Sequence, residues 1–234
     1  MDRRTFIYRA ALGTLSFGLV TLKLHAADFR LRDLRVDLQA PELPLSPRAI
    51  PGLFPGRVVE TFHSRALVNQ RVSPEAVREM VDRGMRTLTG DAHAKDAWAR
   101  FFEPSDVVAL KVNPSGTPIT VTSVPLVREV IRSLNAVGVP NHHIVIYDRN
   151  SNQLQANGYH LLMPPGVRVT GLDERWTVNG ESRSGYDLDV YCEMDCFGER
   201  ETKSYMGRVV SSYANKIINL PTLKEHNASG VTGA

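Results

Sequence analysis

The sequence predicts an α/β fold with a mostly parallel sheet and helices on both faces, a three-layer arrangement of the Rossmann-like kind. Residues 106–112 (DVVALKV) are apolar almost throughout, which is typical of a strand buried on both faces. Residues 124–137 place apolar side chains on one helical face, and Gly138 follows as a stop. A second apolar run, IVIY at 144–147, comes next. Strand, helix and strand at this spacing predict a right-handed βαβ unit with parallel strands.

The other elements are predicted from local signals along the chain. Ser73 followed by Pro74 marks a helix start, because Ser caps the first turn and Pro fits the first helical position. Pro221 ends the last apolar run. In chain order these elements are a strand at 57–63, helices at 73–84 and 92–102, a short helix at 153–158, strands at 167–171 and 187–191, a helix at 202–213 and a strand at 216–220.

Residues 1–27 have the layout of a secretory signal: a charged start, a moderately apolar stretch and a small-residue exit at Ala26–Ala27. The pair Arg3–Arg4 is typical of a twin-arginine signal, which exports proteins that are already folded. We therefore expect the twin-arginine export machinery as a partner and a periplasmic or otherwise exported location. A disordered basic N-terminus is the alternative.

Residues 28–56 are predicted to form a linker or a strap lying on the domain, because their prolines forbid a long helix. These prolines are Pro41, Pro44, Pro47, Pro51 and Pro55. Residues 57–234 are then predicted to form one α/β domain, since the sequence has no internal repeat and no sign of a second domain.

The charge distribution argues against nucleic acid as a partner. Of the 28 basic and 25 acidic residues, four and one lie within residues 1–26, which leaves 24 of each in the rest of the chain. A formally neutral body lacks the basic footprint that nucleic-acid binding needs.

Polar side chains follow three of the predicted strands, at the end where open α/β sheets bind ligands. The residues that follow these strands are Lys111, Asn113 and Ser115, then Asp148 and Arg149, and finally Lys224, His226, Asn227, Gly230, Thr232 and Gly233. Because the carboxyl ends of parallel strands share one edge, we expect these residues to meet there. The last group combines a basic and imidazole cluster with a glycine-rich turn, a pattern typical of anion or cofactor sites.

Lys111 lies inside an apolar run, where an unpaired ammonium would be costly, so it requires a partner. Asp148 or a ligand anion would serve. We assign candidate catalytic roles to four residues: Lys111 and Lys224 would hold anionic groups, Asp148 would bind metal or act as a base, and His226 would move protons. For His226, metal ligation and a hydrogen-bonded position on the rim are the alternatives.

Cys192 and Cys196 are the only cysteines, and their C-x3-C spacing leaves a disulfide, free thiols or metal ligation open. The metal, if any, is not identified, and the candidate ligands are Asp148, His226, Cys192 and Cys196. Two cysteines cannot hold a four-cysteine iron–sulfur cluster. Phosphate-loop, dinucleotide-binding and nucleophile-elbow motifs do not occur in the sequence.

Four blocks of the sequence resemble the DUF362 family, in that family's order: FEPSDVVALKVNPSG, VPLVREVIRSLNAVGV, HHIVIYDRNSNQLQANGY and KIINLPTLKEHNASGVTGA. The resemblance covers about residues 57–234. It implies an α/β domain that is often exported with a twin-arginine leader or found beside iron–sulfur modules, and it implies no assigned reaction. Family members continue beyond the last block, so we expect the domain to be incomplete at its C-terminus.

Two classes of function follow from these patterns. The first is an exported enzyme that binds a small anionic or metal-containing cofactor or substrate at the carboxyl edge of its sheet. The second is a non-catalytic periplasmic protein that binds a metal or cofactor, or an accessory subunit that works with an iron–sulfur redox partner.

Overall fold

The computed structural model describes residues 37–39, 52–116, 119–178, 180–193, 202–226 and 230–232. These residues belong to one compact unit, Val36–Ala234. The predicted signal peptide and most of the predicted strap lie outside the described residues, so both stay predictions. Within the described ranges, no helix is both long enough and apolar enough to cross a membrane.

Short strands and helices alternate along the described part of the chain. The strands are β1 (Asp37–Gln39), β2 (Leu67–Val68), β3 (Arg71–Val72), β4 (Val108–Val112), β5 (Ile144–Asp148), β6 (Arg168–Gly171), β7 (Arg175–Val178), β8 (Glu181–Ser184), β9 (Tyr186–Glu193), β10 (Lys203–Gly207), β11 (Lys216–Leu220), β12 (Lys224–His226) and β13 (Gly230–Thr232). The helices are α1 (Pro74–Thr89), α2 (Ala94–Ala99), α3 (Val124–Ala136), α4 (Ser151–Ala156) and α5 (Tyr159–Leu162), with a 3-10 turn at Asn141–His143 and a π-helix at Val209–Tyr213.

A four-stranded parallel sheet, in the order β11-β4-β5-β6, forms the centre of the domain. Strand β4 is a central strand, paired with β11 on one edge and with β5 on the other. Both of its faces are also covered, which accounts for its apolar sequence. The predicted unit of strand, helix and parallel strand is confirmed as β4, α3 and β5. The fold is therefore α/β, although several small antiparallel sheets accompany the parallel one.

Alternate residues of the parallel strands pack into two hydrophobic clusters, one on each face of the sheet. On one face Val108, Leu110 and Ile146 pack with the apolar side of α3 and with Trp98 of α2. Leu110 and Ile146 are fully buried there. Removing this apolar surface from water is the main favourable contribution to the folding free energy of such a layer.

The opposite face of the sheet is covered differently. Ala109, Val145 and Tyr147 pack against Trp176 of β7 and Val209 of the π-helix. A hairpin and one turn of π-helix thus cover this face within the described residues. The guanidinium carbon of Arg168 lies 3.9 Å from the centre of the Trp176 ring, a cation–π contact across the edge strand β6.

Two predicted elements differ from the structure, and one observed hairpin was not predicted. Residues 57–63 form no strand; they run extended beside α1, where Arg57 Nη1 donates to the Leu88 carbonyl oxygen at 3.2 Å. The predicted helix at 202–213 is wrong, since its first half is β10, paired antiparallel with β9, and its second half is the π-helix. The hairpin β7–β8 has no counterpart among the predicted elements.

Helix α1 continues past Gly84, where the sequence predicted its end. It begins as predicted, with the Ser73 hydroxyl accepting from the Ala76 N–H at 3.2 Å. It ends instead at Gly90, whose φ of 83° is the left-handed conformation that favours glycine at a helix end. Gly84 lies inside the helix, at the point where the side chain of Thr61 passes over it.

Candidate functional site at the carboxyl edge of the sheet

The first group of polar residues at the carboxyl edge is an ion pair between neighbouring strands. Lys111 of β4 donates from Nζ to Asp148 Oδ1 of β5 at 2.5 Å and to the Val112 carbonyl oxygen at 2.9 Å. The side chains are 26% and 11% exposed, respectively. Lys111 therefore has the partner that its apolar surroundings require, and that partner is a residue of the protein itself.

The loop that follows β4 is fixed by buried hydrogen bonds. The Thr122 hydroxyl accepts from the Asn113 N–H at 2.8 Å and donates to the Leu220 carbonyl oxygen at 2.6 Å, which joins the ends of β4 and β11. The Tyr159 hydroxyl donates to the Thr122 carbonyl oxygen. Burial raises the pKa of the Tyr159 phenol well above its ordinary value, and the charge of Asp148 raises it further. Tyr159 therefore stays a neutral donor at physiological pH.

A second group joins this loop to the chain beyond β11. Lys224 Nζ donates to Ser115 Oγ at 3.0 Å, and the Ser115 hydroxyl donates to Asn113 Oδ1, also at 3.0 Å. Because the serine proton lies toward Asn113, the lysine acts as a donor here and is not placed as a base for Ser115. The arrangement presents an ammonium group supported by neutral polar groups, which is the chemistry of anion binding.

Gly116 allows Lys224 to reach Ser115. A Cβ atom at this position would lie 2.9 Å from Lys224 Nζ and 2.4 Å from Thr120 Oγ1. Its φ of 113° is also a conformation that residues with side chains rarely adopt. The backbone and the ammonium can approach this closely only with glycine at this position.

These residues line an open cleft of about 770 Å³. Its lining consists of Ser115, Gly116, Thr120, Leu223, Lys224, Glu225 and His226. The cleft is within the usual size range of small-molecule sites. Lys111 and Asp148 do not line it, so the four candidate catalytic residues fall into two groups, the Lys111–Asp148 pair and the cleft with Lys224 and His226.

The closing segment of the chain forms a two-stranded antiparallel ribbon, β12 and β13, where the sequence predicted a glycine-rich turn. Lys224 pairs with Thr232 and His226 pairs with Gly230 in its register. Gly230 has a φ of 79°. Asn227 and Gly233 lie outside the described residues, as does the side chain of Thr232, so their predicted contribution to ligand binding stays a prediction.

The end of β5 is organised by Asp173. Its carboxylate accepts from the Ser151 N–H at 2.9 Å and from the Ser151 hydroxyl at 3.2 Å, which caps the start of α4. Gly171 allows this contact, because a Cβ there would lie 2.1 Å from Asp173 Oδ1. The side chain of Arg149, a predicted ligand-binding residue, is exposed beside this cap.

The candidate metal ligands are not brought together. Asp148 is paired with Lys111, His226 lies on the ribbon, and Cys192 is a free cysteine in β9 of the antiparallel sheet. Cys196 lies outside the described residues. Among the residues that the structure describes, no group of three or more His, Cys, Asp or Glu side chains could hold a metal ion.

The structure adds three residues that the sequence did not single out, namely Gly116, Thr122 and Tyr159. Gly116 sits in a polar loop, where its backbone conformation has no sequence signal beyond the residue type. The hydroxyls of Thr122 and Tyr159 donate hydrogen bonds to backbone carbonyl oxygens that lie 98 and 37 positions away in the sequence, respectively. Such contacts depend on the packed fold.

The sequence profile of one family, described as "Domain of unknown function (DUF362)", matches residues 108–234. The match begins at the first residue of β4 and includes the whole of the site described above. It does not reach residues 57–107, which the resemblance of the sequence blocks had also covered. Comparisons with curated proteins and with solved structures gave no significant match. Because the profile spans more than half of the chain, the protein belongs to the DUF362 family.

Proposed function

We propose that the protein binds a small anionic organic ligand, as a cofactor or substrate, in the cleft beside Lys224. The observation that carries this proposal is the contact of Lys224 Nζ with Ser115 Oγ over Gly116. It holds an ammonium group at the wall of a cleft of about 770 Å³. A cation held by neutral polar groups, with no carboxylate as its direct partner among the described residues, favours an anion as the missing partner.

The enzyme hypothesis adds the Lys111–Asp148 pair as an acid–base group at the same edge. Lys111 Nζ donates to Asp148 Oδ1 at 2.5 Å, and under this hypothesis the pair acts on a ligand that extends beyond the cleft. The alternative is a non-catalytic carrier. It is favoured by the direction of the Ser115 hydrogen bonds, which leave that hydroxyl without a base.

Three finer expectations belong to the same proposal. The leader with Arg3–Arg4 supports export through the twin-arginine machinery to the periplasm. Coverage of both sheet faces supports a three-layer, Rossmann-like arrangement for the complete domain. A metal-containing ligand is part of both the enzyme hypothesis and the binding-protein alternative. An iron–sulfur redox partner belongs to the accessory-subunit alternative, which the family resemblance supports.

The proposal is tested by calorimetric titration of the purified protein with inorganic phosphate and with citrate. We expect saturable binding that weakens as sodium chloride is raised, because a half-exposed ion pair is screened by salt. Lys224→Met should weaken binding at least tenfold, while Lys95→Met, which removes an exposed lysine from α2, should leave it unchanged. Absence of saturable binding of either anion, or equal binding by the Lys224→Met variant, would overturn the proposal.

A further inference from the structure

The Lys224 cleft and the two segments that form it carry exposed apolar side chains. Leu223, which lines the cleft, is 83% exposed. Ile119 is 85% exposed and lies in the same loop as Ser115, where its N–H donates to the Gly116 carbonyl oxygen. Val231 is 58% exposed and pairs across the ribbon with Glu225, another lining residue. Leu223 therefore places an exposed apolar surface in the same cleft as the Lys224 ammonium, and Ile119 and Val231 belong to the segments that line that cleft.

From the presence of a cation and an apolar side chain in one cleft we infer that the ligand is an amphiphilic anion: a carboxylate or phosphate head bound at Lys224 and Ser115, with an aliphatic body lying against Leu223. The inference rests on the proposed function, since it names the class of ligand for the same site. The ammonium and hydroxyl supply the recognition of the head. The exposed aliphatic groups supply a surface from which the body of the ligand would displace water.

The size of the cleft supports an organic body on the anion. A volume of about 770 Å³ is typical of sites for molecules the size of a drug or cofactor. An inorganic anion bound at Lys224 would leave most of that volume, and Leu223 with it, in water. An apolar body removes this surface from water at no cost to the ion pair.

The chain-length dependence of binding follows from the same geometry. Each methylene group that is fully removed from water strengthens binding roughly fourfold. Since the cleft is open, we expect about a twofold gain per methylene from butyrate to octanoate, and the same trend from butyl to octyl phosphate. The two series distinguish a carboxylate head from a phosphate head by their relative affinity at equal chain length.

The experiment is calorimetric titration of the purified protein with both series below their micelle concentrations, with 1-octanol as an uncharged probe. Leu223→Ser should flatten the chain-length dependence, with the largest loss of affinity for octanoate and octyl phosphate. The control variant is Leu161→Ser, because Leu161 is 87% exposed and does not line the cleft. It should behave like the wild type. Lys224→Met should lower the affinity for every member of both series.

The outcomes separate this inference from the proposed function. If short and long chains bind equally well, the amphiphilic ligand is wrong while anion binding stands. If octanol binds as tightly as octanoate, the charge of the head contributes nothing, and both the inference and the proposed function fail. An unchanged slope in Leu223→Ser would also overturn the inference. If neither series nor inorganic phosphate binds, the proposed function itself fails.

Discussion

Lys224 Nζ and Ser115 Oγ lie 3.0 Å apart although 109 positions separate the two residues in the sequence. The contact joins the ribbon β12–β13 to the loop after the central strand β4. It can form only once β4 and β11 have paired, because that pairing brings the two chain segments to one edge. The site is therefore a property of the folded sheet and is absent from either segment alone.

Gly116→Ala should lower both stability and anion affinity. The added Cβ would collide with Thr120 Oγ1 and crowd Lys224 Nζ, and the φ of 113° adds strain. Gly180→Ala is the matched control, because Gly180 has a φ of 81° and no atom within 4 Å of the added Cβ. We expect about 1 kcal/mol of destabilisation in the control from strain alone, and about 2–3 kcal/mol in Gly116→Ala. Urea unfolding gives the comparison, and equal losses would contradict the steric role of Gly116.

Lys111→Met should destabilise the domain, since it leaves the Asp148 carboxylate largely buried and unpaired. The expected loss is about 2 kcal/mol in the free energy of unfolding. The double variant Lys111→Met with Asp148→Asn removes the charge as well and should recover most of that loss. If the pair also serves the ligand, phosphate binding falls in both variants. Binding equal to that of the wild type in the double variant would remove the pair from the site.

Tyr159→Phe should change the stability of the protein in alkaline solution. Burial raises the pKa of the folded phenol, whereas the unfolded phenol ionises near pH 10. The unfolded state thus binds fewer protons above about pH 10, and the stability of the wild type falls as pH rises. At pH 8 the variant should have a free energy of unfolding about 1 kcal/mol lower than the wild type, because phenylalanine cannot donate the hydrogen bond to the Thr122 carbonyl oxygen.

Urea unfolding from pH 8 to pH 11 should then show a smaller alkaline loss in Tyr159→Phe than in the wild type. Part of the loss will persist, because burial raises the pKa of Tyr147 as well. Stability curves that stay parallel over the whole range would contradict the assignment to Tyr159.

Gly84→Ala should stabilise the protein by about 0.5–1 kcal/mol, since Gly84 lies in the interior of α1. The added Cβ would meet Thr61 Cγ2 at 3.4 Å, which a rotation of the Thr61 side chain can relieve. Thermal unfolding at neutral pH is the measurement. A lower melting temperature would show that Thr61 is held too firmly for the helix to benefit.

The centre of the parallel sheet could be predicted from the sequence because β4 and β5 are buried on both faces. Such strands appear as continuous apolar runs, and 106–112 and 144–147 match β4 and β5 closely. Residues 216–220 match β11, although Ile217 is 47% exposed there. The errors fall where one face meets solvent or a helix. Residues 57–63 have a strand-like composition, but their neighbour is α1, and 202–213 mixes polar and apolar residues in a way that fits β10 and the π-helix equally well.

The residue types of the candidate site and its place at the carboxyl edge of the sheet could be predicted from the sequence. The hydrogen-bond partners of the individual side chains could not. The sequence indicated that Lys111 needs a counter-charge, and Asp148 fills that role. The division of the polar residues into two groups was not visible, because it depends on how far the Lys224 side chain reaches. Nor could the sequence show that Thr122 connects β4 to β11 through its hydroxyl.

The position of β11 beside β4 also has a kinetic consequence. Asn215 fixes the start of β11 by accepting from the Val107 N–H and donating to Asp106, 108 and 109 positions away, respectively. Closing so long a loop is entropically slow, and contacts of high sequence separation delay folding. During synthesis β4 therefore emerges about a hundred residues before the strand that covers its outer edge. Until then it presents an apolar, unpaired edge of the kind that favours aggregation.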